Sequence, residues 1–176
     1  MNHWWIGAIA GCAVLAPKIY GLLDKDNLLE KALIPGISTR ADAKEFEVDG
    51  GLTKTNTWRG YRVDSYKIVY DNKTGKAFGV RIGLVRSFVS NLGLATTVVS
   101  VKKLQKTLNP QCSSDGLEWK EDARNPGFYL PHMETIQKGN FHYACAITDQ
   151  SSNSEISVVM ALPGLSLAQL AQIFYP

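Results

Sequence analysis

Histidine and cysteine are scarce in this chain, three of each among 176 residues, and none stand at C-x-x-C, H-x-x-x-H or comparable spacing. A zinc centre needs several such ligands at short, regular intervals, so His132, His142, Cys112 and Cys145 suggest no metal site, and no cofactor is expected. G-x-S-x-G is missing, and with it a common serine-nucleophile signature. Gly75-Lys76 lacks the preceding glycine and the following Ser or Thr of a phosphate loop, and it lies in a hairpin rather than before a helix. Basic tracts are missing too: the net charge is +3, and the lysines and arginines are spread among acids from Lys18 to Lys138. That distribution leaves no electrostatic footprint for nucleic acid. Low-complexity tracts are absent, and 45% hydrophobic with 20% charged residues is the balance of a folded chain.

Charge is also absent from Trp4 to Ala16, a stretch that ends at Pro17 and holds Cys12. A signal peptide has such an apolar run and small residues before its cut, here Val14 and Ala16, although Met-Asn-His carries no basic residue. Ile9-Ala10-Gly11-Cys12 resembles a bacterial lipobox, which would make Cys12 an acylated N-terminus. A retained helix would need to continue past Lys18 to Leu23 to approach the thickness of a bilayer, with Trp4, Trp5 and Tyr20 at the interfaces; Gly7 and Gly11 would give it a G-x-x-x-G face. The soluble alternative is a buried helix. Tandem tryptophans on an uncharged run direct the segment to a membrane, whether cleaved, lipidated or retained. The domain plan is then a signal or anchor over 1–23, a helical connector over 24–37, and one globular domain over 38–176.

Leu22, Leu28, Leu29 and Leu33 share one side of a helix that Pro35-Gly36 stops. A second short helix follows, capped by Ser38 or Thr39 and ended by Asp49-Gly50-Gly51. Tyr61 to Val69 and Ala77 to Val85 are β-rich runs flanking a turn in which Gly75 supplies a positive φ, so they form an antiparallel hairpin. Val98, Val101, Leu104 and Leu108 recur at helical spacing over Thr96 to Leu108, with Asn109-Pro110 as the end. Cys112 to Pro131 reads as turn-rich, with one short strand near Leu117 to Lys120. Further strands are expected at Met133 to Gln137, Phe141 to Thr148 and Glu155 to Leu162. A last helix, Leu165 to Tyr175, is capped by Ser166, with Leu167, Leu170, Ala171 and Phe174 inward. Helix, tryptophan-bearing loop (Trp58, Trp119) and hairpin thus occur once in each half, without sequence identity. The class is α+β, an antiparallel sheet with helices packed on one face.

In an oxidising compartment Cys112 and Cys145 can pair and stabilise the fold by roughly 3 to 4 kcal/mol; otherwise they are buried thiols. His132 and Glu134 share a face if they lie on a strand, a base and its orienter for an exported hydrolase-type enzyme; otherwise they are a surface pair. Around the hairpin crowd Trp58, Tyr61, Tyr66, Tyr70 and Phe78 with Arg59, Arg62, Arg81 and Arg86. Tryptophan, tyrosine and arginine dominate protein interfaces, so Trp58, Arg59, Tyr61, Arg62, Tyr66 and Arg81 are the candidate partner-binding residues. Strand alternation permits the other division equally, with aromatics in the core and arginines on the sheet's outer face.

Together, Cys12, Pro35-Gly36-Ile37-Ser38, Thr57-Trp58 and the hairpin around Asn72 to Gly75 resemble the small outer-membrane lipoproteins of the SmpA/OmlA (BamE-like) family. The resemblance covers Cys12 and roughly Pro35 to Val85; Thr96 to Pro176 has no counterpart in it. It implies a lipid-anchored cysteine, a helix pair on a three-stranded antiparallel sheet, and a non-catalytic partner in envelope assembly. The expected location is a bacterial envelope, membrane-anchored and facing the periplasm, or secretion. The expected function is protein binding, as assembly factor, secretion-complex component or inhibitor, with an exported hydrolase as the rival.

Overall fold

The computed structural model describes residues 26–53, 55–89, 96–112, 118–131, 143–149 and 155–174. Its helices are α1 (26–32), α2 (Arg40–Val48), α3 (Val101–Cys112) and α4 (Leu167–Phe174). Its strands are β1 (Thr57–Trp58), β2 (Tyr61–Tyr70), β3 (Ala77–Val85), β4 (Ser87–Val89), β5 (Thr96–Val98), β6 (Trp119–Glu121), β7 (Phe128–Pro131), β8 (Ala144–Thr148) and β9 (Glu155–Ala161). Seven strands form one antiparallel sheet in the order β1-β2-β3-β9-β8-β7-β6, and β4 pairs with β5 separately. The fold is α+β, as expected.

Each half of the chain supplies a helix, a short tryptophan-bearing edge strand and a run of longer strands, and the halves meet where β3 pairs with β9. Alternation then sorts the side chains. Val80, Ile82 and Leu84 of β3 lie opposite Met160, Val158 and Ile156 of β9. With Ile147, Leu29 and Leu33 of the α1 region, Phe46 of α2, and Leu104 and Leu108 of α3, they form the main core. On the other face β3 offers Gly79, Arg81 and Gly83, and β9 offers Ser157, Val159 and Ala161. Phe78 is the extra residue of a bulge opposite Val69 and Tyr70, which turns its side chain to this second face.

One helix departs from the expected one-face arrangement: α1, α2 and α3 cover the main core, whereas α4 lies across the second face. A Cβ at Gly79 would collide with Ile173 Cδ1 and Cγ1, so the absent side chain is the slot that seats α4. The inward set of α4 is corrected accordingly. Ile173 is its fully buried residue, and Leu167, expected inward, is 86% exposed.

Local chemistry accounts for the ends. The Thr39 N–H donates to Asp42 Oδ2 at 2.8 Å while the Asp42 N–H donates to Thr39 Oγ1 at 3.4 Å, a reciprocal capping box on α2. Ser38 Oγ donates to the Lys31 carbonyl and accepts from the Ile34 N–H at 2.7 Å, closing α1. Arg59 and Gly60 both have positive φ, 52° and 79°, and join β1 to β2 as a two-residue hairpin turn. Arg59 is held there by Glu30 at 2.9 Å and by stacking on Trp58.

The capping box leads to a pH-dependent expectation. The Lys31 ammonium and the Thr39 N–H and hydroxyl hold the Asp42 carboxyl down to about 2, from 3.8. The stabilisation is present above pH 4 and lost as pH falls through about 2. Asp42→Asn should therefore lower the urea midpoint at pH 5, with the gap from the native chain closing by pH 2. Thr39→Ala should cost about 1 kcal/mol.

Candidate functional site

Small residues on the second face leave room that α4 fills only in part. Beside it lies an open cleft of about 550 Å³, within the range of ligand pockets. One wall is α4, through Leu167, Leu170 and Phe174; the other is the β6–β7 turn, through Pro126 and Phe128. Phe128 and Phe174 approach to 5.5 Å between ring centroids and close one end. The turn is fixed from behind. Asp122 accepts from the Arg124 N–H and Asn125 Nδ2, Glu121 Oε1 accepts from the Gly127 N–H at 2.7 Å, and the Asp149 N–H donates to the Gly127 carbonyl. Those bonds to Asn125 and Arg124 hold the Asp122 carboxyl below its usual range.

The floor is polar and interlocked. Arg81 Nε and Nη2 donate to Ser157 Oγ at 3.3 and 3.2 Å, and Arg81 Nη1 donates to the Phe174 carbonyl at 3.0 Å, capping the C-terminal end of α4. Ser157 Oγ donates in turn to Glu155 Oε1, and Ser65 Oγ donates to Glu155 Oε2, both at 3.0 Å. A Cβ at Gly83 would strike the Glu155 carboxylate and Ser65 Oγ, so this glycine lets Glu155 lie flat on the sheet. Ser157 is buried, and its three bonds satisfy its oxygen. These bonds engage three of the five N–H donors of Arg81, which lines the cleft. The arrangement offers a rigid donor and acceptor between apolar walls.

The candidate partner-binding residues divide between the faces. Trp58 is 1% exposed, in the main core, and Tyr61 and Tyr66 pack against that core. The Tyr61 hydroxyl meets Thr107 Oγ1 at 3.2 Å, and the Tyr66 ring is edge-on to Phe46 with its hydroxyl donating to Glu47. Burial and that carboxylate raise the Tyr66 phenol above its usual range. Arg59 is exposed at the hairpin turn. Register places Arg62 and Arg81 on the second face. Only Arg81 lines the cleft. Cys112 and Cys145 form a disulfide from α3 to β8 with Cα atoms 6.0 Å apart. Cys12, His132 and Glu134 lie outside the described residues.

A second hollow, behind the β6–β7 turn, holds the Arg86–Asp149 ion pair with Glu121 and Tyr129. Among the described residues no group of three His, Cys, Asp or Glu is placed to hold a metal, and no helix is long and apolar enough to cross a membrane. The chain matches no family model, no curated protein and no solved structure.

The cleft is hidden in the sequence because its parts are dispersed: β3, β8, β9, the β6–β7 turn with the start of β7, and α4 each contribute from separate stretches of the chain. The available signals were the glycines alternating with Arg81 in Gly79-Val80-Arg81-Ile82-Gly83, and a surplus leucine on α4.

Proposed function

We propose that this protein is a non-catalytic protein-binding module of a bacterial-type cell envelope, carried there by its apolar N-terminal segment, and that its partner seats in the cleft beside α4. The supporting observation is the cleft itself, with Leu167 86% exposed on one wall, Phe128 on the other and a fixed Arg81–Ser157–Glu155 floor. Apolar walls around a few oriented polar groups are the usual composition of recognition sites. The resemblance to BamE-like lipoproteins belongs to the same proposal, with Cys12 as the anchoring residue and assembly factor, secretion-complex component or inhibitor as the role.

A photoreactive residue at position 167, expressed in the native host, tests it. A discrete adduct with another protein is expected in the envelope fraction, lost when Leu170→Glu is added and absent when the probe sits at Lys102 on the exposed side of α3. No adduct, or one that Leu170→Glu leaves intact, overturns the proposal.

A further inference from the structure

We infer that the cleft receives an extended, uncharged stretch of polypeptide carrying a bulky apolar side chain, docked through its main chain on Arg81 and Glu155. This deepens the proposed function and rests on it.

The floor carries one charge of each sign, and Ser157 fixes their separation. Arg81 Nη2 and Glu155 Oε1 lie 3.2 and 3.0 Å from the same Ser157 Oγ, so donor and acceptor stand within about 6 Å of each other. An anion gains from Arg81 but is repelled by Glu155, and a cation meets the reverse. A neutral dipolar group gains from both. In an extended chain the N–H and C=O of one residue point to the same side, so a single residue can donate to Glu155 and accept from Arg81.

The walls agree with that pose. A residue bonded to the floor through its main-chain edge directs its side chain sideways. Phe128 and Pro126 wait on one side, Leu170 and Phe174 on the other. The exposed Leu167 extends the second wall for a neighbouring side chain.

The test is titration of the full chain with N-acetyl-Leu-Phe-Leu-amide, followed by amide NMR shifts. Free phenylalanine and a long-chain fatty acid serve as competing probes. Shifts are expected at Gly127, Phe128, Ser157 and Leu170, with at least a tenfold weaker affinity in Arg81→Met and in Leu167→Glu. Arg81 also caps α4, so Leu167→Glu, at an exposed position, supplies the variant whose fold is safe. Failure of the blocked tripeptide to bind at millimolar concentration, or binding to both variants as tight as to the native chain, overturns the inference. So does a response to free phenylalanine or the fatty acid alone. A cross-link at position 167 that survives such a failure leaves the binding-module reading standing and removes only this one.

Discussion

Trp58→Ala is expected to lower the unfolding free energy by about 3 to 5 kcal/mol, the range for truncating a large buried aromatic. The residue sits in the main core on the two-residue strand β1, opposite Tyr61 and beneath the Arg59 guanidinium. Removing it opens a void at the edge of the sheet, where β1 would be left to its pairing with β2 and the two Thr57–Asp26 hydrogen bonds, and strips Arg59 of the ring that steadies its positive φ. Urea denaturation measures the loss as a lower midpoint at unchanged slope. Leu167→Glu should leave the midpoint within about 0.5 kcal/mol of the native value, as exposed substitutions do. Together the two variants separate the tryptophan that holds the fold from the leucine that faces the cleft. A Trp58→Ala chain as stable as the native one would mean that this tryptophan is not core.

Replacing Cys112 and Cys145 together by alanine is expected to cost roughly 3 to 4 kcal/mol in the chain-entropy model. The bridge closes a loop of 33 residues, and that loop contains β6 and β7, whose turn forms one wall of the cleft. At this chain length the loss corresponds to a melting temperature lower by roughly 6 to 16 °C. Thermal melts with and without reductant make the comparison: reductant should lower the native protein toward the double variant and leave the variant unchanged. Both cysteines are buried, so reduction should require opening of the α3–β8 contact and proceed slowly below the melting range. Equal melting temperatures for the two proteins would show that the bridge contributes nothing to stability.

Much of the frame was legible. The β2–β3 hairpin announces itself by β-rich runs and by Asp71, whose carboxylate accepts from the Lys73 and Thr74 N–H groups ahead of Gly75. The α2 cap is visible as Thr39 with Asp42 three residues on. Where the pattern misled, a competing preference won. Val98 lies in phase with the apolar residues of the helix that follows, but the branched side chains of Thr96, Thr97 and Val98 suit the strand they form as β5. Asn109-Pro110 was expected to end that helix, yet Pro110 stands inside the last turn of α3, which continues to Cys112. There the ring breaks only one hydrogen bond, and the bridge to β8 anchors the turn. β7 was lost in a turn-rich segment because Phe128–Pro131 is too short to show alternation. The cleft was the least legible part, since its opposite walls come from segments that only the sheet order brings together.

That order also sets a timetable. β9 is the middle strand of the sheet and the last to be made, and it pairs with β3 from far earlier in the chain; Arg81 reaches Ser157 across 76 positions. Most of the domain must therefore leave the ribosome before the centre of the sheet can close. Pairings at such separation form slowly, so the nascent chain spends its early life without a finished interior.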